Sequence, residues 1–214
     1  MSDLTIGLDV GAGSTKAAVL EEGTRVLRTV RIRTGPFMEK AAQKALVQLL
    51  EEADLKRGAV SYLATTGYGR YAFPDRDMQI TEITCHARGA RLLFPGTRCV
   101  LDIGAQSSRA MRIDEKGRVQ KFLMNDRCAA GAGRFLERIA KSLEIDVLEL
   151  GPMSLQAKDP QPISSICAVL AESEVINHVT QGKPAVDIVA GAHYSIADRT
   201  LALLRQVGLE EEVT

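Results

Sequence analysis

A short pattern occurs twice in this chain: an apolar run that ends in aspartate, an aliphatic residue and glycine. The first copy ends in Asp9-Val10-Gly11 and the second in Asp102-Ile103-Gly104. Each copy is followed by two further β-type segments, which predicts two three-stranded meanders. The repeat is too divergent for a solenoid, so we expect two lobes, residues 1–95 and 96–214, that pack around a cleft.

Helical segments follow each predicted meander, because apolar residues then recur at intervals of three and four. The strands are expected at Leu4–Val10, Lys16–Leu20, Thr24–Arg33, Val60–Thr65, Cys99–Gly104, Arg109–Ile113 and Val119–Met124. The helices are expected at Phe37–Ala53, Glu82–Leu93, Ala129–Leu143, Ala168–Gln181 and Ile188–Val207. In the third strand, Val26 belongs to the apolar alternation together with Val30 and Ile32. Strands and helices distributed in this way over two halves indicate the α/β class.

Acidic and basic side chains balance at 27 each among the 214 residues. A chain without net charge has no global field that would attract nucleic acid or an anionic membrane surface, so we expect neither partner. No stretch is apolar enough for a membrane span, and the residues after Met1 lack the pattern of a signal peptide. These features predict a cytoplasmic protein whose four cysteines are buried thiols, nucleophiles or metal ligands.

The residues after Asp9 have the composition of a phosphate-binding turn. Glycines let backbone N–H groups approach a polyphosphate, hydroxyls add donors, and a lysine adds positive charge. The predicted phosphate-contacting residues are Gly11, Ala12, Gly13, Ser14, Thr15 and Lys16. The Asp9 carboxylate could hold Mg²⁺ through water. The alternative interpretation is a glycine hairpin whose polar residues face solvent.

The second copy of the pattern favours a nucleotide site. It supplies another carboxylate, Asp102, and another turn with Gly104, Ala105 and Gln106. Two such hairpins can hold the phosphates and Mg²⁺ of one nucleotide, which a single chance match cannot explain. The Walker pattern Gly-x-x-x-x-Gly-Lys-Ser/Thr is absent. The arrangement resembles the superfamily of actin, acetate and sugar kinases and heat-shock chaperones, which implies an actin-like ATPase with duplicated ribonuclease H-like lobes around a nucleotide cleft.

Cys128 and Cys167 each stand at the start of a predicted helix. A thiolate there is stabilised by the helix macrodipole and by unpaired N–H groups, and the same donors suit the sulfurs of an iron–sulfur cluster. Two ligands are too few for a cluster, but a two-fold axis that pairs the chain with a copy or a homologue would supply four. The alternatives are two buried thiols that cap helices and a dimer bridged by structural zinc.

Together these motifs resemble one family closely: the activators of 2-hydroxyacyl-CoA dehydratases and the related ATP-binding subunits of benzoyl-CoA reductase. The resemblance runs from Thr5 to the C-terminus. Its most specific portions are residues 9–16, 66–70, 82–87, 125–135 and 167–173. It implies ATP hydrolysis that drives a low-potential electron into an enzyme that performs a difficult reduction.

The same resemblance implies cofactors and partners. The expected assembly is a homodimer or a pseudo-symmetric heterodimer with one 4Fe-4S cluster, whose ligands would be Cys128 and Cys167. Asp9 and Asp102 would border the phosphates of ATP and Mg²⁺. The electron is expected to come from ferredoxin or flavodoxin and to reach a dehydratase or an aryl-CoA reductase. A small-molecule kinase of the same superfamily is the rival function, but it has no use for two helix-capping cysteines.

Two features depart from the family pattern. The activators usually carry Asp-Ile-Gly-Gly-Gln-Asp at the second turn, where this chain has Ala105 and Ser107, and this favours the benzoyl-CoA reductase branch. The family pattern also continues with a strand and a Gly-Gly adenosine motif, and this chain stops at Glu212-Val213-Thr214, where that strand would begin. We therefore expect a C-terminally truncated sequence that binds ATP more weakly than an extended chain.

The remaining candidate residues are assigned to structure. Cys85 is expected to pack, because it and His86 are helix neighbours that point apart and no second metal-binding pair is visible. Cys99 lies inside an apolar strand and is expected in the core. His178 and His193 are expected to be surface or hydrogen-bonded groups. A solvated helix face is expected for Arg134, Glu137, Arg138 and Lys141.

Overall fold

The computed structural model of this chain describes residues 3–125, 133–163 and 168–214. The chain divides into two compact units, residues 1–95 and 96–214. Each unit begins with a three-stranded antiparallel meander, as the sequence repeat predicts. None of the helices in the described ranges is long and apolar enough to cross a bilayer.

The first unit contains a mixed sheet of five strands. Its strands are β1 (Leu4–Val10), β2 (Ser14–Glu21), β3 (Arg25–Arg33), β4 (Tyr62–Thr66) and β5 (Met78–Gln79). Its helices are α1 (Met38–Glu52) and α2 (Glu82–Leu93), with a short 3-10 turn at Arg57–Ala59. The strand order is β3-β2-β1-β4-β5, and β4 runs parallel to β1. The carboxyl ends of β1 and β4 therefore lie side by side.

Alternation along β1 decides which face of the sheet carries polar groups. Ile6, Leu8 and Val10 are buried in the core that the sheet forms with α1. The intervening residues point to the opposite face, because successive side chains of a strand alternate. The buried set fixes the register of the strand, so Asp9 is held on the face away from this core.

A bulge in β3 was not apparent from its sequence pattern. The register between β2 and β3 shifts at Leu20, which pairs with Val26 and leaves one extra residue, Leu27, on β3. The shift takes Val26 out of the buried alternation: 47% of its surface is exposed, whereas Val30 is buried. The prediction that the apolar alternation of β3 reaches back to Val26 is therefore wrong.

The second unit contains a three-stranded antiparallel sheet and four helices. Its strands are β6 (Cys99–Ile103), β7 (Ser108–Ile113) and β8 (Val119–Asn125), in the order β6-β7-β8. Its helices are α3 (Gly133–Ser142), α4 (Leu150–Ser154), α5 (Ala168–Thr180) and α6 (Ala185–Val207). The end of α6 packs Leu204 and Val207 against Cys99 and Ala110 of the sheet. Cys99 is fully buried, which confirms its expected place in the core.

Most element boundaries lie within three residues of the prediction. Helix α2 has the predicted bounds, whereas α6 begins at Ala185 directly after Pro184 rather than at Ile188. The short β5 and α4 were not predicted, because segments of two and five residues are too short to show a periodic pattern of apolar residues. The predicted start of the third helix at Ala129 lies outside the described residues.

Candidate functional site

The first candidate turn connects β1 to β2 and carries an ion pair. Strand pairing places Asp9 opposite Lys16, and Lys16 Nζ donates to Asp9 Oδ2 at 2.8 Å. The two side chains are 23% and 47% exposed, respectively. An ion pair this open to solvent contributes about 0–1 kcal/mol to stability, so both groups can change partners when a charged ligand binds.

The tip of this turn is stabilised by Thr34, the residue after β3. Its hydroxyl donates to Gly11 O at 2.7 Å, and its N–H donates to Gly13 O at 3.2 Å. Thr15 Oγ1 lies 3.0 Å from Thr34 Oγ1, and both side chains are buried. The Thr15 hydroxyl therefore stabilises the turn, and the predicted phosphate contact of Thr15 stays a prediction. Sequence analysis missed Thr34, which shows no motif of its own.

The other residues of the turn are partly exposed, and their chain path is tight. A Cβ added at Gly11 would lie 2.7 Å from Ser14 O, so only glycine fits there without movement of the chain. Ala12, Gly13 and Ser14 are also partly exposed. An exposed turn of this kind supports the predicted phosphate contacts of these four residues, which stay predictions.

A row of polar residues crosses the sheet at the level of Asp9. Arg31 on β3 pairs with Lys16 on β2. On the other side of the ion pair, Asp9 pairs with Thr66 on β4. Arg33 lies two residues further along β3, where it pairs with Ser14 at the turn. Within the described residues, neither Arg31 nor Arg33 has an ion-pair partner. Cations outnumber carboxylates in this row, which favours binding of an anion such as a polyphosphate.

A cavity of about 620 Å³ opens beside this row. Its floor contains small residues that pair across four strands: Thr29, Ala18, Gly7 and Ala64. Cys85 and His86 of α2 line the same cavity, as do Asp9 and Lys16. Because the floor lacks large side chains, space is left on the face of the sheet that carries the charged groups.

Cys85 has a different environment from the one expected. It is partly exposed and lines the cavity with His86, which corrects its assignment to packing alone. Burial raises the pKa of the Cys85 thiol, the neighbouring Thr66 hydroxyl lowers this pKa, and the carboxylate of Asp9 raises it. The thiol is therefore protonated at neutral pH. Among the described residues, no group of three or more His, Cys, Asp or Glu side chains could hold a metal ion.

The second candidate turn, between β6 and β7, carries an ion pair with a different cation. Asp102 pairs with Arg109, and Arg109 Nη1 donates to Asp102 Oδ2 at 2.6 Å. These side chains are only 18% and 10% exposed. Sequence analysis missed Arg109, although it follows Asp102 by seven residues, as Lys16 follows Asp9. That equal spacing is the signal that could have identified it.

Backbone hydrogen bonds join this second turn to the start of α3. Gly104 O accepts from Gly133 N–H at 2.8 Å, and Ala105 O accepts from Arg134 N–H at 2.9 Å. The last residue of β8 also pairs with the first residue of β7. Residues 125 and 133 are therefore both attached next to this turn. Gln106 is exposed at its tip, and its predicted ligand contact stays a prediction.

The other expected polar groups agree with their assignments. His178 Nε2 lies 3.0 Å from Pro162 O, and His193 Nδ1 lies 3.1 Å from Val189 O. The exposed face of α3 contains Arg134, Glu137, Arg138 and Lys141. Cys128 and Cys167 lie outside the described residues.

Two units that each begin with a meander and carry a carboxylate beside a glycine turn define the actin-like ATPase fold, as predicted. A ROK family glucokinase from Streptomyces griseus shares this fold at 16% identity, with a TM-score of 0.51 over 95% of this chain and 80% of that chain. The activator of the 2-hydroxyisocaproyl-CoA dehydratase from Clostridium difficile, solved with bound ADPNP, is much more similar. It aligns with 100% of this chain and 78% of its own at 40% identity and a TM-score of 0.92.

Residues 6–214 match the BadF/BadG/BcrA/BcrD ATPase family, and the chain belongs to this family. The activator of lactoyl-CoA dehydratase from Anaerotignum propionicum is 44% identical over 98% of this chain and 80% of its own length. A benzoyl-CoA reductase subunit from Thauera aromatica is 45% identical over 98% of this chain and 76% of its own length. The predicted family is thus confirmed, whereas the preference for the benzoyl-CoA reductase branch stays a prediction.

Proposed function

We propose that the protein couples ATP hydrolysis to delivery of one electron at a time, at low potential, to a 2-hydroxyacyl-CoA dehydratase or an aryl-CoA reductase. Reduced ferredoxin or flavodoxin gives up one electron, which passes through the protein to the acceptor enzyme. ATP and water become ADP and phosphate, and this reaction supplies the free energy for the transfer. The dehydratase activators and the reductase subunit among the relatives support this proposal.

The observation that carries the proposal is the repeated ion pair beside a glycine turn. Asp9 with Lys16 and Asp102 with Arg109 provide two carboxylates at corresponding strand ends. Carboxylate oxygens are hard ligands that suit Mg²⁺, directly or through water. Arg31 adds a cation to the first site for the charge of the phosphates. Asp9 and Asp102 are thus the proposed catalytic residues, which hold Mg²⁺ and orient the attacking water.

The electron carrier in this proposal is one 4Fe-4S cluster shared by two subunits, with Cys128 and Cys167 of each as ligands. Four thiolates match the ligand set of such a cluster, which supplies one-electron transfer when it is bound. The partner subunit is a second copy of this chain or a close homologue across a two-fold axis. We place this assembly in the cytoplasm, where thiols stay reduced.

Anaerobic purification followed by spectroscopy and metal analysis tests the proposal. We expect a brown protein with broad visible absorption, about four iron atoms per dimer, and ATP turnover that depends on Mg²⁺. With reductant and ATP, the protein should activate an acceptor dehydratase or reductase. A colourless protein with stoichiometric zinc would refute the cluster, and phosphorylation of a small molecule in place of water would refute the proposed reaction.

Replacement of the proposed ligands tests the shared cluster directly. In Cys128→Ala, iron and visible absorption should be lost and the dimer should weaken, because metal–ligand bonds that bridge two chains contribute to dimer stability. Cys99→Ala is the matched control: Cys99 is fully buried in the core, so its removal should cost about 1–3 kcal/mol of stability but no iron. A Cys128→Ala protein that stays brown would contradict the ligand assignment.

A further inference from the structure

The turn after β4 contacts the first candidate carboxylate through a glycine. Gly67 is buried and has a φ of +91°. A Cβ added to it would lie 2.5 Å from Asp9 Oδ1 and 2.6 Å from both the carbonyl carbon and oxygen of Val10. Real Cβ atoms do not approach other atoms this closely, so a side chain here would have to displace the turn itself, or the Asp9 side chain together with the carbonyl of Val10.

The turn is held in place on both sides of Gly67. Thr66 is paired with Asp9 in the parallel register of β1 and β4. Gly69 N–H donates to Val10 O at 2.8 Å. Because the turn is attached to β1 at two neighbouring points, the clash with an added Cβ falls on the Asp9 side chain and on the adjoining carbonyl of Val10. Either shift displaces the Asp9 carboxylate. On its other side, Asp9 accepts a hydrogen bond from Lys16.

We propose that Gly67 is a positioning residue for the Asp9 carboxylate, and this inference rests on the proposed role of Asp9 in ATP hydrolysis. Because Gly67 has no side chain, the space that a Cβ would take is left to Asp9 Oδ1. An added Cβ would require a shift of about 1 Å to restore an ordinary contact. Misplacement of a catalytic group by this distance can cost about 10²-fold in rate.

The variant that tests the proposal is Gly67→Ala, measured for kcat and for the Mg²⁺ concentration that gives half-maximal ATP turnover. We expect kcat to fall by about 10²-fold and the Mg²⁺ requirement to rise. A readout independent of turnover is calorimetric binding of ADP with and without Mg²⁺. The gain in affinity from Mg²⁺ should shrink in Gly67→Ala if the carboxylate is displaced.

Substitution of two other glycines distinguishes a displaced Asp9 carboxylate from the effects of backbone strain and of steric crowding. Gly23 has a φ of +67° with nothing within 4 Å of an added Cβ, so Gly23→Ala introduces the backbone strain alone. A Cβ at Gly69 would lie 2.8 Å from Met38 Sδ and from Val10 Cγ1, and its three nearest atoms belong to Met38 and Val10 rather than to Asp9. Gly69→Ala therefore crowds the same turn at other residues than the carboxylate. The proposal is overturned if either control raises the Mg²⁺ requirement as much as Gly67→Ala.

A double-mutant cycle with Asp9→Asn completes the test. If Gly67 acts through Asp9, then Gly67→Ala should lower kcat no further in the Asp9→Asn background. Fully additive losses would overturn the positioning role. If Asp9→Asn by itself leaves turnover unchanged, the proposed function of Asp9 fails, and this outcome is distinct from failure of the inference about Gly67.

Discussion

The two turns carry the same kind of ion pair in different environments. Nearly half of the Lys16 side chain is exposed beside Asp9, whereas Arg109 is 10% exposed beside Asp102. An exposed pair contributes little to stability, and its members can change partners when phosphate binds. A buried pair is costly to break, because the remaining charge is left without a partner. The exposed pair of the first turn thus suits the proposed phosphate site, whereas the less exposed pair of the second turn stabilises its own unit.

The turns also differ in what is attached to them. The carbonyl of Val10, just before the first turn, accepts from Gly69 N–H in the loop after β4. The carbonyls of Gly104 and Ala105 in the second turn accept from the first residues of α3. One turn is therefore held by a loop with two glycines, whereas the other is joined to a helix. The segment with Cys128 lies between β8 and that helix in the sequence.

Removal of either carboxylate should have the largest effect. Asp9→Asn and Asp102→Asn should each lower ATP turnover by on the order of 10²-fold, because charge stabilisation in the reaction is lost. Their stabilities should differ: Asp102→Asn should also lose about 1–2 kcal/mol, since Arg109 is left without its carboxylate. Turnover and urea denaturation of both variants provide the test, and visible absorption should stay unchanged. Wild-type turnover in either variant would contradict its catalytic role.

Exchange of the cations should give the next largest effect. Arg109→Ala should lower the free energy of unfolding by about 2–3 kcal/mol, because the poorly exposed Asp102 carboxylate loses its ion pair with the guanidinium. Lys16→Ala should change it by less than about 1 kcal/mol and should mainly raise the KM for ATP. Arg109→Lys is the control that keeps the charge but loses the guanidinium geometry. Equal stability losses in the two alanine variants would remove the distinction between the turns.

Those parts of the architecture that rest on repetition could be predicted from the sequence. The doubled pattern at Asp9 and Asp102 predicts two meanders, and the structure contains both. The alternation of β1 predicts its buried face, because Ile6, Leu8 and Val10 must face one core. The bulge in β3 could not be predicted, because one extra residue is recognised only when the pairing with the partner strand is known.

Those parts of the site that depend on tertiary contacts could not be predicted in the same way. Thr15 fits a phosphate motif in composition, but its hydroxyl is used by Thr34, nineteen residues away. Cys85 reads as a packing residue, but the parallel pairing of β1 with β4 brings Thr66 and Asp9 to its side. Sequence neighbours cannot reveal such contacts, because they arise only when distant strands pair.

A smaller effect should follow from removal of one bond between the second turn and α3. Gly133→Pro deletes the N–H that donates to Gly104 O, while proline is tolerated in the first turn of a helix. Loss of this hydrogen bond should lower the free energy of unfolding by about 1 kcal/mol. Gly133→Ala keeps the donor, and among the residues that the structure describes its Cβ would meet only Gly104 O at 3.4 Å and Ala105 Cα at 3.7 Å. Equal denaturation midpoints for both variants would show that this attachment does not stabilise the second turn.

The smallest effect concerns Cys85, whose thiol reports on the charge of the first turn. Burial and the Asp9 carboxylate raise its pKa, so at pH 8 a smaller fraction is thiolate than in an ordinary cysteine, and alkylation by iodoacetamide should be slow. Removal of the Asp9 charge should lower this pKa, increase the thiolate fraction and accelerate alkylation at pH 8. Asp102→Asn is the matched control, because Asp102 is not among the groups that shift this pKa. Mass spectrometry of the peptide that contains Cys85, over a series of pH values, gives the rates. An alkylation rate that is unchanged or slower in Asp9→Asn would show that the Asp9 carboxylate does not raise the pKa of the Cys85 thiol.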